Sequence, residues 1–282
     1  MKVAHLILVH TQPHQLNRLI GSLLHPEADF YIHLDKKADI KVFREAITHP
    51  SVVFVTKRVD VRWGAYSMVQ ATLNGFEEIL ATKIPYGYVN LLSGQDYPLQ
   101  SPETIHRFLA SNPLQQYMEF REVENDWQEA IPRIKKYHLV NFNIPGKFKL
   151  EALINTVLPP RLLPQGMVAV GRSQWFTITL EAVRFIITYL KEHPRLVRFF
   201  KLTWGVDEII FQTILYNSPF NATLVNDNLR YIDWSEGKSS PKTLTLKDKE
   251  VLKSSTKFFA RKFNEATEAS ILDWLDEEMK QD

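Results

Sequence analysis

Cysteine is absent from the 282 residues of this chain, which excludes a disulfide framework and any thiolate metal site. Long apolar runs are absent too. The most apolar stretch near the start covers residues 3–9, and polar residues follow at once, so a membrane span is not indicated. Met1 and Lys2 do not make the basic start of a signal peptide. The chain reads as soluble, expected in the cytoplasm or peripherally at the inner membrane face. Neither sign of charge prevails: 34 Lys and Arg stand against 32 Asp and Glu, so nucleic acid is not implied as a partner. Gly-x-Gly-x-x-Gly, P-loop and Gly-x-Ser-x-Gly signatures are missing, and no His pair has metal-ligand spacing. Missing as well is an Asp-x-Asp triplet that could hold a divalent metal against a sugar diphosphate.

What the chain does have is a hydrophobic content of 45%, which suits one large domain. Its first 56 residues alternate strand and helix patterns. Strands are expected at 3–9, 30–34 and 51–56, with Leu16, Leu19, Ile20 and Leu23 at helical spacing between the first two. A helix carrying Met68, Val69, Leu73, Phe76, Ile79 and Leu80 follows, then a strand over 86–92. That alternation builds a largely parallel sheet with helices on its faces. In such sheets ligands sit beyond the carboxyl ends of the strands. Three polar groups fall there: His10-Thr11, Asp35 and Gln95-Asp96. Ordinary loop polarity explains any one of them; together they suggest a nucleotide pocket.

Residues 113–170 are interrupted by Pro132, Pro145, Pro159, Pro160 and Pro164 and are expected to form long loops and short helices, as a lid or an acceptor wall. A strand over 173–179 and helices over 181–190, 207–215 and 266–279 complete the pattern. The adjacent acids Asp207 and Glu208 begin the helix over 207–215. Capping by Asp207 is the structural account of them, and a catalytic carboxylate is the functional one. Towards the end lies a basic cluster: Lys238, Lys242, Lys247, Arg261 and Lys262. Phe258, Phe259 and Phe263 flank its last two members, and cations held by packed aromatics suit a diphosphate. Lys247, Lys249 and Lys253 read as solvated surface.

Several short segments, in this order, resemble the branching β-1,6-N-acetylglucosaminyltransferase and peptide O-xylosyltransferase family, of core-2/I-branching type. They are Leu8-Val9-His10-Thr11, Phe30-Tyr31-Ile32-His33-Leu34-Asp35-Lys36-Lys37, Asn90-Leu91-Leu92-Ser93-Gly94-Gln95-Asp96-Tyr97-Pro98 and Gly171-Arg172-Ser173-Gln174-Trp175-Phe176. Val206-Asp207-Glu208, Leu229-Arg230-Tyr231-Ile232-Asp233-Trp234 and Phe258-Phe259-Ala260-Arg261-Lys262-Phe263 follow. The shared order is more specific than any one segment. Without cysteine or an anchor, the chain is expected to be a bacterial member, unlike the cysteine-rich, anchored animal enzymes.

The resemblance implies an α/β GT-A fold, a Rossmann-like nucleotide-binding sheet with helices on both faces. It is expected as a single domain, with a nucleotide-binding half at 1–112 and an acceptor-binding, catalytic half at 113–282. It also implies an inverting transfer from a UDP-sugar with no cofactor and no metal. Glu208 takes the place of the family's base in a Pro-Asp-Glu motif, with Val206 in place of the Pro. Asp35 with His10 or Thr11 would hold uridine, and Lys262, Arg261 and Lys242 the diphosphate. Trp234 would stack on the acceptor sugar, and Glu119 would touch it. In the xylosyl branch an acid precedes the Trp of the Gly-x-Ser-x-Trp segment. Here that position is Gln174, which favours UDP-GlcNAc as donor and a glycan or polysaccharide as acceptor, with β-1,6 branching. A UDP-xylose-dependent enzyme and a non-catalytic UDP-sugar or glycan-binding protein are the alternatives.

Overall fold

Strand Val3–Val9 is buried along nearly its whole length, on both faces, as a continuous apolar run in a parallel sheet should be. In the computed structural model, which describes residues 1–279, it is β1. The other strands are β2 (Ala28–Leu34), β3 (Val52–Phe54), β4 (Tyr88–Ser93), β5 (Asp96–Pro98), β6 (Gln116–Glu122), β7 (Val170–Thr179), β8 (Leu224–Asn226), β9 (Arg230–Ile232) and β10 (Phe259–Arg261). The chain divides into two compact units. One contains residues 1–56, 84–113 and 229–282; the other contains 57–83 and 114–228.

In the first unit, parallel strands run in the order β3-β2-β1-β4. The helix expected from Leu16, Leu19, Ile20 and Leu23 occupies Pro13–Ser22, with proline in its first turn and Leu16, Leu19 and Ile20 buried; Leu23 caps its end. The fourth strand is shorter at its start than expected, Tyr88–Ser93. A small second sheet sets β10 between β5, antiparallel, and β9, parallel.

In the second unit, β6 lies between β7, antiparallel, and β8, parallel. The rings of Phe76, Phe176 and Phe211 pack together, with centroids 5.4–6.3 Å apart, and join helix Tyr66–Ala81 to β7 and to helix Ile210–Tyr216. The α/β class expected from the sequence is present. Two local expectations need correction. Residues 113–170 are not only loops and short helices, since they contain the seven-residue strand β6 and the helix Lys147–Val157. The charges of Glu119, Arg121 and Glu122 obscure β6 in the sequence, and its two neighbours override that composition. The helix expected over 207–215 is broken: Val206–Glu208 is a single 3₁₀ turn, and the α-helix starts at Ile210. Among the described residues no helix is long and apolar enough to cross a membrane.

Candidate active site

The first unit gathers the residues expected to hold the donor. Val9 and Leu34 are partners in the β1–β2 register, so His10-Thr11 and Asp35 leave neighbouring strand ends. The Gly94 N–H donates to the Leu8 carbonyl at 3.0 Å, which sets the end of β4 beside them. His10 and Thr11 are exposed, whereas Asp35 is buried. Asp35 accepts from the Lys37 backbone at 2.9 Å and lies 3.4 Å from the Lys37 ammonium.

The segment bearing Lys262 is fastened from three sides. The Leu244 N–H donates to the Lys262 carbonyl at 2.9 Å, and the Phe263 N–H donates to the Gln95 carbonyl at 2.9 Å. Gln15, fully buried, donates to the Gly94 and Phe263 carbonyls at 2.9 and 3.2 Å and accepts from the Glu265 N–H at 2.7 Å. Next to it, Arg261 lies opposite Asp96 in the β10–β5 register, and its Nε donates to Asp96 Oδ1 at 2.9 Å. Asp96 is wholly buried and also accepts from the Ser93 N–H at 3.0 Å. The Lys262 ammonium makes no ion pair among the described residues. The ammonium of Lys242, by contrast, lies 2.5 Å from Asp248 and 3.7 Å from Asp233. These acids raise its pKa, the hydrogen bond to Asp248 foremost. Trp234 is half exposed, in the turn that follows Asp233.

The second unit holds Glu208 and Glu119. Gly205 stands at a left-handed φ of 62° and starts the 3₁₀ turn; a side chain there would meet the Arg133 guanidinium. Gly171 on β7 packs against the Glu208 backbone so closely that a Cβ would collide with the Glu208 carbonyl oxygen. Two segments that the resemblance singled out separately are therefore in contact. Glu208 Oε2 accepts from Arg133 Nη1 at 2.6 Å, both side chains being partly buried. The Arg133 guanidinium lies 4.9 Å from the Trp127 ring centre and 4.5 Å from that of Trp204. A charge-assisted hydrogen bond and two ring faces thus hold one arginine, which in turn fixes one carboxylate oxygen. Glu208 Oε1 has no hydrogen-bond partner among the described residues.

Asp207 does not cap a helix. It is buried, with Oδ1 lacking a partner, and its pKa is pushed up to about 7 by burial first and by the neighbouring Glu208 charge second. Glu119, on β6, lies 3.8 Å from the Arg172 guanidinium and accepts from Asn228 Nδ2 at 3.3 Å; Asn228 also donates to Ser173 Oγ at 3.1 Å. Gln174 is buried on β7, and its Nε2 has no partner. Among the described residues no group of three or more His, Asp or Glu is placed to hold a metal ion.

Sequence reasoning missed Arg133, Trp127, Gln15 and Asn228. Only Gln15 left a trace, as a polar residue beside the buried stripe of its helix.

A family model described as Core-2/I-Branching enzyme matches residues 3–259. Xylosyltransferase 2 of Rattus norvegicus is 27% identical over 307 residues, covering 98% of this chain and 33% of the rat protein. A xylosyltransferase of Ciona intestinalis is 23% identical over 296 residues, covering 98% of this chain and 34% of that protein. The chain thus spans about a third of the length of these curated relatives. Among solved structures, mouse xyloside xylosyltransferase 1 in its apo form aligns with 92% of this chain and 97% of its own, at 10% identity and a TM-score of 0.43.

Proposed function

This chain belongs to the Core-2/I-Branching enzyme family, a family of glycosyltransferases of GT-A fold, and from that premise we propose that it transfers a sugar from a UDP-sugar to a hydroxyl of a glycan acceptor with inversion at the anomeric carbon. In this reading the acceptor oxygen attacks the anomeric carbon as the bond from that carbon to the diphosphate breaks. Glu208 takes the hydroxyl proton, and the UDP leaves with the bonding electrons. The observation that carries the base assignment is the placement of Glu208. Its backbone is packed against Gly171 and one carboxylate oxygen is bound by Arg133, which leaves the other available.

Lys262 supplies positive charge to the departing diphosphate. Its segment is fixed by backbone hydrogen bonds, and a cation placed in advance costs little reorganisation during the reaction. Arg261 acts beside it while anchored to Asp96. Lys242 would have to exchange Asp248 for phosphate to join them. Asp35 with His10 or Thr11 contacts uridine, and Trp234 and Glu119 contact the acceptor. Metal independence belongs to the same proposal, because the sequence lacks an Asp-x-Asp triplet and offers cations instead.

For the donor we propose UDP-GlcNAc with β-1,6 branching, since Gln174 cannot serve as the base that the xylosyl branch carries there and Glu208 is present. The names of the relatives favour UDP-xylose as a second reading. Competition between the two donors, read by UDP release in the presence of glycan acceptors, decides between them. A preference for UDP-xylose would replace the donor and leave the reaction class standing.

A further inference from the structure

Helix Lys147–Val157 is inside out. It buries none of its eleven residues. Two of its polar side chains, Glu151 and Asn155, face the body of its unit. Glu151 accepts from the Leu139 N–H at 2.7 Å and lies 3.4 Å from His138 Nδ1. One turn later, Asn155 accepts from the Tyr137 N–H and donates to the Tyr137 carbonyl, both at 2.8 Å. The apolar side chains are left in water: Phe148 is 76% exposed, Leu153 60% and Val157 70%, and Leu162 just beyond is 82% exposed. A helix on a water-soluble surface turns its apolar stripe inward. Among the described residues, nine of the eighteen large hydrophobic residues that are exposed fall within 142–168, so the exposure is concentrated rather than scattered.

The charges say what would cover this face. Between residues 140 and 168 Glu151 is the sole acid, and it is turned inward; Lys147 and Lys149 stand on the helix beside Phe148, with the Lys147 ammonium 5.2 Å from the Phe148 ring centre. A second copy docking the same face would set these lysines against their own counterparts. An anionic lipid surface meets both demands: the apolar side chains enter the headgroup–acyl boundary and the lysines meet phosphate. We infer that Lys147–Val157 and the segment following it form a peripheral membrane-docking surface for anionic lipid.

The test is co-sedimentation of the full chain with phosphatidylglycerol-containing vesicles and with pure phosphatidylcholine vesicles, at low and high salt. Wild type should bind the anionic vesicles, and more weakly at high salt. Replacing Phe148, Leu153 and Val157 together by Ser should weaken partition by at least about tenfold. Lys147→Ala with Lys149→Ala should weaken it by roughly tenfold. All these side chains are exposed or half-exposed, so the variants should keep the wild-type circular dichroism and melting temperature. Three results would each overturn the inference: no binding by wild type, unchanged binding by the folded triple variant, or a wild-type dimer in light scattering that the triple variant dissolves while vesicles bind neither.

Discussion

Arg133 binds the Glu208 carboxylate at 2.6 Å while its guanidinium lies 4.9 Å from the Trp127 ring centre and 4.5 Å from that of Trp204. The arginine is thereby a positioning residue for the proposed base. Arg133→Ala removes the hydrogen bond and both ring contacts and should destabilise the protein by about 1–3 kcal/mol. It should lower kcat with little change in the KM for donor, and Arg133→Lys should restore part of kcat. A variant that melts earlier yet keeps wild-type kcat would confine Arg133 to structure.

Glu208→Gln keeps the shape of the side chain and removes its ability to take a proton. Turnover should fall by about 10²- to 10⁴-fold. UDP affinity, measured by calorimetry, should stay near wild type. Turnover close to wild type would remove Glu208 from the mechanism.

Lys262→Ala should lower turnover roughly 10²- to 10³-fold, the usual cost of losing a group aimed at transition-state charge. UDP should bind the variant more weakly and uridine about as before, because uridine carries no diphosphate. Equal UDP affinity in variant and wild type would show that Lys262 does not hold the diphosphate.

Asp207 links stability to pH. Its carboxyl, buried beside Glu208, has a pKa raised from 3.8 to about 7. The folded chain therefore keeps a proton that the unfolded chain releases between those values. The stabilisation is fully present below about pH 4 and is lost as pH rises through about 7. The size is on the order of 2–4 kcal/mol. Asp207→Asn should melt at a higher temperature than wild type at pH 8, and the difference should shrink towards pH 5. Parallel melting profiles for the two proteins would contradict this.

Activity should survive EDTA, because Lys262 and Arg261 are proposed to meet the leaving diphosphate. Loss of turnover in EDTA, restored by Mn²⁺, would show that these cations do not replace a metal.

Strands β1 to β4 and the helix after β1 were legible in the sequence, because their signals are local; β5, β9 and β10, three residues each, carry no such signal. An unbroken apolar run such as Val3–Val9 specifies a strand buried on both faces, and the spacing of Leu16, Leu19 and Ile20 specifies one buried helix face. The sequence also placed His10-Thr11, Asp35 and Gln95-Asp96 at strand ends, where the structure has them. What holds the candidate groups emerges only in the folded chain. Arg133 and Glu208 are 75 positions apart, Arg261 and Asp96 are 165, and Gln15 and Phe263 are 248. No periodicity spans such distances. The same reason explains why Asp207 reads as a helix cap in sequence and is a buried carboxyl in the fold. Gly171 approaches the Glu208 backbone closely, and residues 206–208 form a separate turn ahead of the helix. Hydrophobic spacing reports a face that the chain would bury; which partner reaches that face, and which polar group is trapped behind it, depends on residues that are distant in the chain and meet only on folding.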